Sequence, residues 1–154
     1  MKIRESVAIS CQLLKTRLPC DEGPILLFDG VCNLCAGSVQ FVLKRNKKEN
    51  ILFASLQSEF GQKKLQESKL PEDYTASLVL LENGKTYVKS DAALRLAKHL
   101  DGLWKLSSIF LIIPKFIRNP VYDWIAINRY NWFGKKEVCW IPEPKWKARF
   151  LVGV

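Results

Sequence analysis

The segment ILLFDGVCNLCAGSVQFVLK, from Ile25 to Lys44, decides the fold of this chain. Its first four residues are all apolar, which is typical of a strand buried on both faces of a sheet. A helical stretch begins near residue 36, so Cys32 and Cys35 lie where a strand gives way to a helix. Unpaired backbone amides and the positive end of the dipole stabilise a thiolate at a helix N-terminus. At this spacing both sulfurs share one helix face and can close a small disulfide ring.

Strands and helices alternate regularly over the next sixty residues. Apolar runs bounded by turn residues indicate strands, and apolar positions at helical spacing indicate helices. The order is strand, helix, strand, helix, hairpin, helix, and it predicts an α/β fold with a thioredoxin-like mixed sheet flanked by helices. The predicted elements are a strand at 25–29, a helix at 36–44, a strand at 51–54, a helix at 58–66 with Ser58 as N-cap, a hairpin of 76–81 and 86–88 turned at Asn83-Gly84, and a helix through Leu100 capped by Ser90 and Asp91.

The two ends of the chain differ from this core. From about residue 103 the pattern is helical and aromatic, which predicts two or three short C-terminal helices, broken at Pro114 and Pro120, with aromatic side chains packed on the core. Residues 1–23 are interpreted as an N-terminal extension containing a short helix over 3–14. Residues 24–154 are then one thioredoxin-like domain that includes the C-terminal helices and an extended coil at 139–144.

The composition is that of an ordinary globular domain. Of 154 residues, 48% are hydrophobic and 25% charged, which is enough to bury a core without disulfide staples. Five cysteines are an odd number at uneven spacing, which favours a reducing compartment. The N-terminus makes a poor signal peptide, so we expect a cytoplasmic protein. The longest late apolar run, 106–114, is too short for a transmembrane segment.

A net charge of +9 is high for this length. It is compatible with acidic protein partners, nucleic acid or an anionic membrane surface, and charge alone does not choose among them. No RNA-binding motif accompanies the aromatic and basic C-terminal third, so we expect no specific nucleic-acid partner.

Several short motifs give the chain a resemblance to a known family. Asp29, Cys32 and Cys35 form an Asp-x-x-Cys-x-x-Cys motif. Over roughly residues 24–152 the sequence resembles the DCC family of predicted thiol-disulfide oxidoreductases, which is named for this motif. The resemblance implies a thioredoxin-like fold and thiol-disulfide exchange, and it names no substrate. It extends through Gln57-Ser58, Ser90-Asp91-Ala92, Ile113-Pro114, Tyr122, Asn128-Arg129-Tyr130, Phe133-Gly134 and Cys139.

One departure from thioredoxins concerns substrate binding. Thioredoxins place a cis-proline just before the third strand, where this chain has the run 74–77, Tyr-Thr-Ala-Ser. Pro71 lies too early to serve. Because that proline lies beside the dithiol and helps to receive substrate, we do not expect the substrate range of thioredoxin here.

The dithiol predicts a thiol-disulfide oxidoreductase. Cys32, as the more exposed thiol, attacks a substrate disulfide, and the more buried Cys35 resolves the mixed disulfide. The expected substrate is a disulfide-containing protein or a small thiol compound. No bound cofactor is expected, and an external thiol, thioredoxin or glutathione would restore the dithiol. Asp29 either accepts the Cys35 proton as a general base or holds the Gly30 turn by hydrogen bonds to backbone amides.

Four residues are candidates for binding substrate: Gly30, Ser90, Asp91 and Arg129. Besides capping its helix, the Ser90-Asp91 pair is a candidate site for the carboxylate of a glutathione-like thiol. Arg129 is a candidate partner for an acidic group, and Asp123 is one such group.

Two other classes of function stay open. One is a non-enzymatic thioredoxin-like module that binds acidic partners through a basic surface. The other is a zinc-binding structural domain, in which Cys11, Cys20, Cys139 or His99 would complete a site with the dithiol. Cys139 is otherwise a third redox thiol or a small packed side chain.

Overall fold

A computed structural model describes residues 23–71, 74, 77–135, 137 and 142–151. The predicted N-terminal extension lies outside these residues, and so do Cys11, Cys20, Cys139 and residues 75 and 76. The described part of the chain has the thioredoxin-like α/β fold predicted from the sequence, with helices added after its last core helix.

Four strands form one mixed sheet: β1 (Ile25–Phe28), β2 (Leu52–Ser55), β3 (Val79–Glu82) and β4 (Lys85–Val88). Their order is β2-β1-β3-β4. β1 runs parallel to β2 and antiparallel to β3, which pairs with β4 as the predicted hairpin. Asn83 and Gly84 turn this hairpin with φ angles of 52° and 70°, the left-handed values that a tight turn needs.

Helices follow the strands in the predicted order: α1 (Asn33–Arg45), α2 (Glu59–Glu67), α3 (Lys89–Ala97), a 3-10 helix (Gly102–Ile112), α4 (Lys115–Phe133) and a second 3-10 helix (Pro144–Arg149). Ser58 caps α2, as predicted, by accepting the Gly61 N–H at 3.1 Å. Pro114 separates the first 3-10 helix from α4, also as predicted. Among the described residues no helix is long and apolar enough to cross a membrane.

The alternating side chains of β1 build an apolar core on each face of the sheet. Leu26 and Phe28 pack with side chains of α1 and α3, whereas Leu27 packs with Leu65 of α2 on the other face. Phe150, near the C-terminus, stacks on the Phe53 ring at 5.3 Å between centroids. The core therefore fixes both the end of β1 and the start of α1, which carry the dithiol.

Two predictions about local structure are wrong. Ser90 and Asp91 do not cap α3, because the helix begins at Lys89 with Val88 as N-cap. Pro120 does not break a helix but lies within α4, where the neighbouring Arg118 and Asn119 side chains bond to α3. Of the predicted coil at 139–144, residues 139–141 lie outside the described residues, 142 and 143 belong to no helix or strand, and Pro144 begins the second 3-10 helix.

Most of the aromatic side chains between residues 104 and 133 are not packed in the core, contrary to prediction; Tyr122 and Tyr130, which are partly buried, are the exceptions. Trp104, Phe110, Phe116, Trp124 and Trp132 are between 45% and 75% exposed. The reason is that α4 turns its polar residues toward the domain. Arg118 and Arg129 make ion pairs there, and this orientation leaves the apolar side of the helix in solvent.

Candidate functional site

The dithiol lies on a tight connection between β1 and α1. The Asp29 side chain accepts the Val31 N–H at 3.1 Å, and the Cys32 N–H approaches the Asp29 carbonyl at 3.4 Å. Cys32 is the N-cap residue of α1, and Cys35 lies three residues later on the same helix. The predicted position of both cysteines at the strand-to-helix junction is confirmed.

Neither thiol is open to solvent. Cys32 is 0% exposed and Cys35 is 6% exposed, so the prediction that Cys32 is the more exposed thiol is wrong. The end of α4 covers Cys32, and we call residues 133–135 the cover. Lys135 forms an isolated antiparallel bridge with Cys32, and the Asn33 side-chain amide donates to the Phe133 carbonyl at 2.8 Å.

The cover turns at a glycine. Gly134 has a φ of 79°, in the left-handed region that favours this residue. A Cβ atom at this position would lie 3.2 Å from the Asn33 side-chain nitrogen. The glycine thus allows the chain to leave α4 and approach the dithiol loop closely.

The Asp29 carboxylate is buried and fully hydrogen-bonded. One oxygen accepts the Val31 N–H and the Gln57 side-chain amide at 2.9 Å. The other accepts the Arg129 guanidinium at 3.2 Å and the Tyr130 hydroxyl. Since Arg129 and Tyr130 belong to α4, this carboxylate ties the dithiol loop to a helix about a hundred residues away in the sequence.

The pKa of Cys35, the predicted resolving thiol, differs from that of an ordinary cysteine. Burial raises the pKa of Cys35 to about 12, and the neighbouring Cys32 and Asp29 charges add to the rise, whereas the Arg129 charge opposes it. Burial alone would lower the pKa of Arg129, but Cys35, Tyr130 and Cys32 outweigh it and raise that pKa. The guanidinium is therefore a fixed positive charge beside both sulfurs.

Gln57 connects this site to the end of β2. Its side-chain oxygen accepts the Gly30 N–H at 3.1 Å and the Ser55 hydroxyl at 2.6 Å. Its amide nitrogen donates to Asp29. The N–H of Gly30, part of the predicted substrate-binding set, thus bonds to the Gln57 side chain beyond β2.

Arg129 contacts Asp29, one of the predicted catalytic residues, and not Asp123, its predicted partner. It pairs with Asp29, whereas Asp123 pairs with Lys89 at 2.8 Å. The sequence offered both carboxylates, and the fold brings only Asp29 to the buried side of α4.

Ser90 and Asp91 lie in a polar cluster that anchors the start of α4. The Ser90 hydroxyl donates to Asn119 at 2.6 Å, and the Asp91 carboxylate pairs with Lys115 at 2.6 Å and Arg118 at 2.8 Å. Burial would raise the pKa of Asp91, but these two cations hold it below its usual value. These contacts connect α3 to α4.

Sequence reasoning assigned no role to Gln57, Tyr130 or the cover. Each belongs to a motif that carried the family resemblance, and that was the available signal. Their role depends on distance in space, since they surround Asp29 and Cys32 from distant parts of the chain.

Within the described ranges, no group of three or more His, Cys, Asp or Glu side chains is arranged to hold a metal ion. His99 pairs with Glu82 at 2.7 Å. The other cysteines named for a zinc site, Cys11, Cys20 and Cys139, lie outside those ranges.

The fold and this site define a class: thioredoxin-like proteins that carry a CxxC dithiol at the start of the first core helix. A family model described as DCC1-like thiol-disulfide oxidoreductase matches residues 26–135. The chain belongs to this family. The matched region begins in β1 and ends at Lys135, the residue that bridges Cys32.

Two relatives support the assignment. Over 127 residues the chain is 53% identical to a protein of Bacillus subtilis (strain 168) named "Uncharacterized protein YuxK", covering 82% of this chain and 93% of that one. Over 120 residues it is 43% identical to "DCC family protein At1g52590, chloroplastic" of Arabidopsis thaliana, covering 77% and 70%. No solved structure matches the chain significantly.

Proposed function

We propose that the protein is a thiol-disulfide oxidoreductase that reduces disulfides, with Cys32 as the attacking thiol and Cys35 as the resolving thiol. The observation that carries this proposal is the place of Cys32 at the N-cap of α1, with Cys35 three residues later and the Arg129 charge beside both.

The exchange has two steps. In the first, the Cys32 thiolate attacks one sulfur of a substrate disulfide, a Cys32–substrate disulfide forms, and the other substrate sulfur leaves as a thiolate. In the second, Cys35 gives up its proton and attacks the Cys32 sulfur. This forms the Cys32–Cys35 disulfide and releases the second substrate sulfur, which takes up the proton and leaves as a thiol. The protein gives up two electrons and the substrate disulfide takes them. An external thiol of the dithiothreitol, thioredoxin or glutathione class then restores the dithiol, without a bound cofactor.

Resolution is the less favourable step, because Cys35 must lose its proton and burial raises its pKa to about 12. Formation of the mixed disulfide removes the negative charge of Cys32, one cause of that rise, while Arg129 stays. We assign Asp29 a positioning role: four donors surround its carboxylate, and accepting the Cys35 proton would displace one of them. Asp29 thus keeps Arg129 beside the dithiol.

Substrate access requires the cover to move. Cys32 is completely buried, and the cover bonds to Asn33 through one side-chain hydrogen bond and a long backbone contact of 3.5 Å. Net contributions of single hydrogen bonds are about 0.5–1.5 kcal/mol, so these two contacts with Asn33 together oppose displacement of the cover by about 1–3 kcal/mol. A disulfide on an extended or exposed segment fits this opening better than one buried in a folded core.

We further propose that the protein works in a reducing compartment, the cytoplasm. The odd number of cysteines supports this proposal.

The test is reduction of insulin or of a small aromatic disulfide in the presence of dithiothreitol. We expect the protein to accelerate the reaction, Cys32→Ser to abolish the gain, and Cys11→Ser to retain it as a control for removing a thiol outside the motif. Cys35→Ser should lose turnover but accumulate a mixed disulfide at Cys32, visible by mass spectrometry. Equal rates for the protein and Cys32→Ser would refute the proposal.

A further inference from the structure

The surface opposite the polar side of α4 is apolar and largely exposed. Among the described residues, Trp104 packs edge-on against Phe41 at 4.8 Å between ring centroids, and Trp124 packs against Trp132 at 4.9 Å. Fourteen large apolar side chains of the first 3-10 helix and α4 are between 38% and 81% exposed. We call this surface the apolar ridge. It comprises Leu103, Trp104, Leu106, Ile109, Phe110, Ile112, Phe116, Ile117, Val121, Trp124, Ile125, Ile127, Trp132 and Phe133.

The ridge is exposed because α4 is oriented by polar contacts. Arg118 pairs with Asp91, the Tyr122 hydroxyl accepts the Leu78 N–H at 3.1 Å, and Arg129 pairs with Asp29. A surface helix of a globular protein normally turns its apolar stripe toward the core. Here the inward stripe is polar, so the apolar stripe is left for something outside the domain. Exposed apolar surfaces of this extent mark interaction sites.

The charge around the ridge is positive. Residues 102–135 carry five cationic side chains and one carboxylate. Two of the cations, Arg118 and Arg129, face inward and pair with Asp91 and Asp29, which leaves three lysines. Lys105, Lys115 and Lys135 are exposed, and Lys115 also bonds to Asp91. The one carboxylate of this segment, Asp123, is paired with Lys89. The Lys135 ammonium lies over the Tyr130 ring at 5.6 Å. An occupant that covers this segment therefore meets three exposed lysines and no unpaired acid from residues 102–135.

This charge pattern selects among occupants. A second copy of the chain placed face to face would bring lysines against lysines, and like charges at an interface are unfavourable. An anionic lipid surface offers the opposite sign and an apolar interior. Its interfacial zone favours Trp side chains, of which the ridge has three, Trp104, Trp124 and Trp132.

We propose that the apolar ridge docks the protein on an anionic lipid bilayer. α4 and the first 3-10 helix lie in the plane of the interface, with their apolar side chains among the acyl chains and Lys105, Lys115 and Lys135 at the headgroups. The +9 charge of the whole chain adds attraction at longer range. This docking does not depend on the proposed redox chemistry.

The test measures binding of the full chain to vesicles by co-sedimentation. Vesicles of phosphatidylcholine containing phosphatidylglycerol should bind the protein, pure phosphatidylcholine vesicles should bind it much more weakly, and added salt should weaken binding. Cys32→Ser should bind like the parent chain, which separates failure of docking from failure of the redox proposal.

Matched variants locate the surface. Val121→Ser with Trp124→Ser removes two side chains that are 58% and 61% exposed, and binding should fall by about tenfold or more. Lys105→Gln with Lys135→Gln should weaken binding by about fivefold per lysine, whereas Lys48→Gln with Lys85→Gln, two exposed lysines outside 102–135, should change it less.

Three results would overturn the proposal. The first is equal binding to neutral and anionic vesicles. The second is binding by the Val121→Ser, Trp124→Ser variant at parent strength with an unchanged thermal midpoint. The third is a stable dimer in solution, measured by light scattering, that becomes monomeric in the same variant and ignores vesicles. In that case the ridge is an interface between copies.

Discussion

Asp29→Asn isolates the ion pair that holds the site together. The change keeps the side-chain volume but replaces one carboxylate oxygen by an NH₂ group, so two of the four donors around Asp29 lose their acceptor. The Arg129 charge stays buried, with its side chain 5% exposed, opposite a neutral partner. Removing one member of a buried ion pair costs about 3–5 kcal/mol. For a chain of this size the midpoint of thermal unfolding should fall by roughly 6–20 °C.

Urea unfolding followed by circular dichroism measures this loss. Asp123→Asn is the matched control, because its pair with Lys89 has side chains 31% and 40% exposed, and such pairs contribute less than about 1 kcal/mol. Adding Arg129→Met to Asp29→Asn should recover part of the stability, since no uncompensated charge then remains. A loss for Asp29→Asn no larger than that for Asp123→Asn would refute the reasoning.

Four further substitutions test other parts of the structure. Asn33→Ala removes the side-chain bond to the cover, and iodoacetamide should then alkylate Cys32 roughly 2–10 times faster. In the folded protein the pKa of Cys35 is raised from 9.0 to about 12. The protonated thiol therefore contributes its full stabilisation below pH 9, and this stabilisation is lost as the pH rises from 9.0 toward 12. Cys35→Ala should make the unfolding free energy decline less steeply over this pH range. Gly61→Ala places a Cβ 2.1 Å from a backbone oxygen and should cost at least about 1–3 kcal/mol. Gly37→Ala, with nothing within 4 Å, should stabilise α1 by about 0.5–1 kcal/mol.

Each of these has a contrary outcome. Unchanged alkylation in Asn33→Ala, with Ser38→Ala as a control on the same helix, would mean that the cover does not limit access to the thiol. A Cys35→Ala curve parallel to that of the parent chain would contradict the raised pKa. Similar stability for the two glycine variants would contradict the close approach of α2 to the end of β2.

The fold was predictable because its signals are local. Strand and helix periods, the cap at Ser58 and the turn at Asn83-Gly84 all depend on residues within a few positions of one another. The dithiol loop was predictable for the same reason, since Asp29, Cys32 and Cys35 are adjacent in sequence. The prediction of the α3 cap was wrong because the cap residue was inferred from side-chain type alone. In the structure the backbone turns at Lys89, with a φ of 54°, and the Ser90 and Asp91 side chains bond to α4.

What the sequence determined by itself is the order of the elements and the junction that carries the two thiols. What only the tertiary structure decided is the surroundings of that junction: the Arg129 partner of Asp29, the burial of Cys32 beneath the cover, and the outward side of α4. All three depend on how α4 is rotated and packed against the domain, and its Arg129 lies 100 residues from Asp29 in the sequence. That placement is set by buried ion pairs and hydrogen bonds, whose partners no local period can specify.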